Sequence, residues 1–192
     1  MDPMEKLIIG LVLFIGIHSV SIVAPAWRNR IADKHGTAWK ALVVVVSIAG
    51  VVGMVKGYAD ARLDPVLLYV PPVWLRHLAA LLMLPVFIFF FAPYFPGRIK
   101  STLKHPQLVA LKLWAFAHLL VNGTLADVVL FGSLLAWAVV DRISLKRREP
   151  REVPVVTRSA ANDFILVAIG LVTYALFARW LHLAWFGVAP FG

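Results

Sequence analysis

Six apolar runs of 16 to 21 residues, separated by short polar or basic connections, leave this chain few ways to fold. About 20 apolar residues at 1.5 Å each match a hydrocarbon core about 30 Å thick. Within lipid, a helix satisfies its own backbone groups without help from neighbouring chain. The runs predict an all-α, polytopic integral membrane protein with transmembrane helices over 4–24, 38–55, 74–92, 106–121, 124–140 and 160–178. Hydrophobic residues make up 61% of the 192, against about 45–50% in a soluble domain. So little polar chain remains that the whole forms one domain, with any chemistry among the helices or at their ends.

The punctuation is specific. Pro25 ends the first run, and Gly50 and Gly53 in the second suit close helix packing in lipid. Pro85 should kink the third. Pro106 can open a helix because its missing N–H has no helical partner there. Asn122-Gly123 ends that helix at residues that tolerate positive φ, so 106–140 reads as a helical hairpin. The segment 56–73 should lie on the membrane surface with Tyr58, Tyr69 and Trp74 at headgroup level, and the tail 179–192 reads as interfacial. The first run is followed by Pro-Ala-Trp-Arg rather than a small-residue cleavage pattern, so it reads as a span.

The formal charge of +9 does not indicate nucleic acid, because the basic residues flank apolar spans and form no soluble groove. They read as contacts to membrane lipid headgroups and as topology signals. The connections after the first, third and fifth helices, with Lys40 and Lys112 included, hold 14 Lys and Arg; the opposite side holds 5. The positive-inside rule puts the richer side in the cytoplasm and both termini outside. With no cysteine in the chain, thiolate metal sites and cysteine nucleophiles are excluded.

Chemistry then falls to histidine. His18 lies about 15 Å from the cytoplasmic interface, counted from Arg28, and His118 about 21 Å, counted from Lys104, at helical rise. Both fall near mid-membrane, where an unpaired imidazole is costly. Two imidazoles at matched depth could ligate one iron axially, and either could instead bond a neighbouring helix as polar glue. Asp127, level with His118 on the other arm, would orient that imidazole or face water near the tip. Lys112 would meet a haem propionate or snorkel to the interface. Trp114, His118 and Asn122 recur every four residues on one face, where Trp114 would wall a flat cofactor or simply pack. His105 reads as a helix-capping residue. It and His77 are reserve ligands, whereas His35 and His182 fall in a loop and the tail.

The opening K-H-P-Q, the core W-A-F-A-H-L-L-V-N-G and the closing D-R resemble the NnrU family and its relative, 15-cis-zeta-carotene isomerase. H-S-V-S-I-V-A-P-A-W-R at 18–28 and R-W-L-H-L-A-W-F-G-V-A-P at 179–190 extend the likeness over most of the chain. The resemblance implies a bacterial inner-membrane protein holding haem b through histidines at the His18 and His118 positions. It also implies a role in denitrification, in the function or regulation of nitrite and nitric oxide reductases. The isomerase relative implies an alternative, haem-dependent cis-trans isomerisation of an apolar polyene such as zeta-carotene. The K-H-P opening is also similar to the R-H-P of isoprenylcysteine-methyltransferase-like families, but no glutamate follows in the hairpin to complete that pattern.

Overall fold

The computed structural model describes residues 1–148 and 159–191. Arg151 and Arg158, counted above among the loop cations, lie outside them. In chain order the helices are α1 (Pro3–Val23), α2 (Pro25–Lys34), α3 (Gly36–Ala61), α4 (Leu75–Met83), α5 (Val86–Phe91), α6 (Arg98–Leu103), α7 (Pro106–Val121), α8 (Leu125–Leu145), α9 (Ala160–Leu176) and α10 (His182–Phe186). A π turn, Phe177–Leu181, joins the last two. The only strand-like pairing among the described residues is an isolated antiparallel bridge between Leu67 and Thr124. The chain divides into two compact units, Met1–Tyr69 with Gly123–Pro150 and Val70–Asn122 with Arg151–Gly192.

Five helical stretches are long and apolar enough to cross a membrane, and the sixth expected span, Pro106–Val121, is a shorter apolar helix. Only 11–22% of each span's most apolar window is buried inside the protein. Side chains such as Val12, Val45, Ile48, Leu81, Phe164 and Val172 face outward. Water would penalise that surface heavily, whereas hydrocarbon does not. The protein is therefore an all-α polytopic membrane protein.

In the first unit, Asp2 opens α1 with a capping box, accepting from Met4 N and Glu5 N while Glu5 accepts from Asp2 N. α1 packs along α3, and α8 packs against both. Glycines let the first two backbones touch: a Cβ on Gly50 would lie 2.8 Å from Phe14 N, and one on Gly10 would lie 2.7 Å from Gly50 O. α3 runs six residues beyond the expected end at Val55, into the segment expected on the membrane surface. Two polar residues of that extension find partners, since Asp60 pairs with Lys6 at 2.6 Å and Tyr58 donates to Asp127. Beyond it, Pro65, Pro71 and Pro72 keep the chain non-helical. This stretch exposes Leu63, Leu67, Val70 and Trp74.

The same stretch is pinned. Leu68 N (2.8 Å) and Tyr69 N (3.1 Å) both donate to Gly123 O, and Leu125 N donates to Val66 O at 2.8 Å. The turn after α7 therefore differs from the sequence expectation. Asn122 is extended (φ −126°) and Gly123 does not adopt positive φ. Glycine is needed there because a Cβ would run into the Tyr69 carbonyl. The hairpin expected over 106–140 is resolved as two helices belonging to different units: α7 packs on α4 and α5, while α8 packs on α1 and α3.

In the second unit, Pro85 interrupts the third span between α4 and α5, while Leu84 and Pro85 keep helical φ and ψ, so the stretch Leu75–Tyr94 remains one span with the expected irregularity at the proline. α5 packs on α7 and on α9, around buried Ile88, Ala92 and Leu166. Asp163, at the start of α9, accepts from Arg98 N (2.8 Å) and Ile99 N (3.1 Å), so it caps α6 from a distant part of the chain. Asn162 Nδ2 donates to Pro96 O at 2.9 Å beside it. The last span does not end at 178. It continues through the π turn to Phe186, so most of the tail expected at the interface, His182 included, is helical.

Candidate functional site

His18 sits on α1 in the first unit, half-buried. Its Nδ1 lies 2.7 Å from the carbonyl of Phe14, one turn back. A carbonyl only accepts, so Nδ1 carries the proton and the lone pair resides on Nε2. Phe14 lies against the ring (centroids 4.4 Å apart), and Trp137 of α8 meets it edge-on at 5.9 Å. The Trp137 indole is itself held, Nε1 donating to Ser19 Oγ at 3.1 Å. The imidazole is thus fixed in tautomer and walled by two aromatic rings.

His118, on α7 in the second unit, has the same arrangement. Nδ1 donates to Trp114 O at 2.8 Å, and the Trp114 ring lies 4.9 Å away. Asn122 Nδ2 donates to His118 O at 2.9 Å, so the stripe Trp114, His118, Asn122 is physically one cluster. Lys112 is half-buried on the same helix, between His118 and the helix start at Pro106.

Asp127 is buried, 4% exposed, so the alternative in which it faces water is excluded. As the third residue of α8 it closes a capping box, Oδ2 accepting from Thr124 N (2.8 Å) and Thr124 Oγ1 (2.6 Å). Its Oδ1 accepts from the Tyr58 hydroxyl at 2.5 Å. Tyr58 therefore serves a buried carboxylate rather than the headgroup layer. Partial burial, and then the Asp127 charge, raise the phenol of nearby Tyr69 above its ordinary value.

His105 occupies the N-cap position of α7, but its side chain makes no capping hydrogen bond; its backbone carbonyl accepts instead from Leu108 N and Val109 N. His77 and His35 are exposed. His182, read from sequence as a tail residue, turns out to be half-buried beside His118. Their ring centroids are 6.4 Å apart, with planes 25° from parallel. The available signal was composition alone, since Leu181, Leu183, Ala184, Trp185 and Phe186 continue the apolar run past Arg179 and Trp180, residues that otherwise mark a span's end.

A polytopic helical membrane protein with tautomer-fixed imidazoles inside its spans defines a class; a family model places it further. The chain belongs to the NnrU family, described as NnrU protein, which it matches over residues 6–190. No curated protein and no solved structure matches it.

The residues suit the haem that the resemblance implies. Among the described residues no three His, Cys, Asp or Glu side chains cluster to hold a bare metal ion. A haem brings four nitrogens of its own and asks the protein for only one or two axial ligands. An imidazole whose Nδ1–H is tied to a backbone carbonyl is oriented and made more basic at Nε2, which suits that task.

Proposed function

We propose that the protein is a haem-associated protein of the bacterial inner membrane that supports denitrification, with intramembrane imidazoles as its iron ligands. His118 and His18 are the two at the motif positions. The supporting observation is that each donates from Nδ1 to the carbonyl one turn earlier, which puts the lone pair on Nε2, the atom with which an imidazole would bind a metal. The family resemblance supplies the link to nitrite and nitric oxide reductases. Haem b, held there by His18 and His118, would supply a redox-active iron.

The test is the absorption spectrum of the full chain purified in detergent. A Soret band supports the reading, and a colourless protein that gains none on titration with haemin overturns it. A deletion strain should lose nitrite or nitric oxide reductase activity. Accumulation of cis-zeta-carotene in cells that make it, with denitrification intact, would favour the isomerase reading instead. For topology, the 14 to 5 division of cations puts the end of α8 in the cytoplasm. A reporter fused after Arg148 should read as cytoplasmic, and a periplasmic signal there sinks the orientation.

A further inference from the structure

The helix that carries His18 holds its ring only in part. The Nδ1 bond to Phe14 O, at 2.7 Å, and the Phe14 ring, 4.4 Å away, both come from α1 one turn back. They fix the tautomer and keep the imidazole against its own helix. A carbonyl oxygen accepts over a broad range of directions, so this bond alone lets the ring plane swing about it. A stop on that swing has to come from a different helix.

Among the described residues that stop is Trp137 of α8, whose ring meets the imidazole at 5.9 Å with the planes 78° apart. In an edge-to-face pair, tilting either plane opens the contact or drives an edge into a face. An indole can act in this way only if it is itself immobile. The Trp137 Nε1–H is tied to Ser19 Oγ at 3.1 Å, which stops the indole from turning about its side-chain torsions. Within hydrocarbon no water competes for that N–H, so the tether stays made.

The tether and the stop end on neighbouring residues of α1. The indole leans on the ring of His18 and donates to the hydroxyl of the next residue along. α1 and α8 pack together within the first unit, so this bridge is internal to it. Packing alone would ask at 137 for any large apolar side chain and at 19 for no hydroxyl at all. A serine in a helix can satisfy itself on its own backbone. Here its oxygen instead serves a second helix, at a depth where an unpaired indole N–H would be costly.

We infer that Trp137, tethered through Ser19, is a positioning residue for His18 and sets the plane in which that imidazole is presented to the haem iron. The inference rests on the haem reading and adds to it a residue of α8 that touches the ligand rather than the metal.

The experiment uses the full chain in detergent, as purified or loaded with haemin, and reads the electron paramagnetic resonance of the ferric haem and its rate of transfer to excess apomyoglobin. The g-values of a ferric haem follow the orientation of its axial imidazole plane, which a general loss of stability does not move. Ser19→Ala leaves the indole untethered, and Trp137→Phe leaves a ring without the N–H. Each should shift the g-values and speed haem transfer by about tenfold, the low end for losing an outer partner of a ligand. The double variant should match either single one, because both remove the same bond. Ser19→Thr keeps the hydroxyl and should keep the wild-type signal. Trp27→Phe, which removes an indole packed on Trp39 in the same unit, should be silent. If Ser19→Ala and Trp137→Phe keep wild-type g-values, with or without a lower unfolding midpoint, Trp137 only packs and the inference is overturned while the haem reading stands. If wild type takes up no haem, both fall.

Discussion

Arg148 Nη1 donates to the carbonyl of Ser21 at 2.9 Å, and this is the carbonyl that Pro25 leaves without a helical partner. In an unbroken helix Ser21 O would accept from the residue four positions on, but proline has no N–H to give. The guanidinium's other arm pairs with Asp141, with both side chains about 15% exposed. One cation therefore caps the end of α1 and neutralises a carboxylate near the end of α8. Arg148→Ala should remove both, leaving a buried carbonyl and a poorly solvated charge, at a cost of about 2–4 kcal/mol. Arg148→Lys should recover less than half, because a single ammonium lacks the planar fork. Thermal unfolding in detergent, followed by far-UV circular dichroism, measures both. A variant at wild-type stability would mean that the contact contributes nothing.

Asp127 makes the opposite kind of statement, a charge kept in the interior because three donors hold it. Removing the carboxylate orphans the Tyr58 hydroxyl and the Thr124 amide together. Asp127→Ala should cost about 2–4 kcal/mol, and Tyr58→Phe about 1–2 kcal/mol, since it removes one donor and leaves the capping box intact. The double variant should cost less than the sum, because the two residues share one interaction. Additive losses would show that the hydroxyl and the carboxylate act independently.

The α1–α3 seam tests packing rather than polarity. A Cβ at Gly57 would run into the backbone of Leu7, a fully buried residue, and no side-chain rotation relieves a clash with backbone. Gly57→Ala and Gly10→Ala should each cost about 1–3 kcal/mol or more, against near-neutrality for Gly16→Ala and Gly132→Ala, where a Cβ meets nothing within 4 Å. Gly16 and Gly132, inside helices, should even gain slightly from the better helix former. Equal effects at all four would remove the case for close approach at the seam.

How far the sequence anticipated this structure follows from what each residue's signal depends on. Apolar run length marked the spans, because hydrocarbon thickness is a one-dimensional constraint. Pro85 and Pro106 acted as read, since proline's effect is local. The failures are all non-local. Tyr58 and Asp60 extend α3 because Asp127 and Lys6 await them, and the Gly123 turn is extended because the Tyr69 carbonyl occupies the space a side chain would need. His182 was misread because a π turn changes helical phase, and a constant 100° period cannot register one inserted residue. His18 and His118 were found as polar residues at depth, but their Nδ1 bonds to the carbonyls of Phe14 and Trp114 depend on rotamers that sequence does not report.

Lys104 is the one described non-glycine residue with positive φ, at 57°, and it marks the turn that feeds α7. With ψ at −47°, the chain doubles back so tightly that His105 N–H donates to Leu103 O, two residues earlier, at 2.6 Å. This three-residue γ-turn is a rare and strained conformation for an L-residue. Glycine relieves the strain, of order 1–3 kcal/mol, while losing about 0.5–1 kcal/mol of unfolded-chain entropy advantage. Lys104→Gly should therefore raise stability by about 1 kcal/mol, read as a higher unfolding midpoint in detergent. Lys104→Ala keeps the Cβ and should leave stability within about 0.5 kcal/mol of wild type, which separates backbone relief from loss of the cation. The strain sits two residues before the helix that carries His118, at the K-H-P opening of the family-like segment. If the turn is kept to position α7, Lys104→Gly should stabilise the chain and also loosen the His118 site, seen as faster haem loss with an unchanged spectrum. Greater stability with unchanged haem retention would show that the strained turn has no part in holding α7.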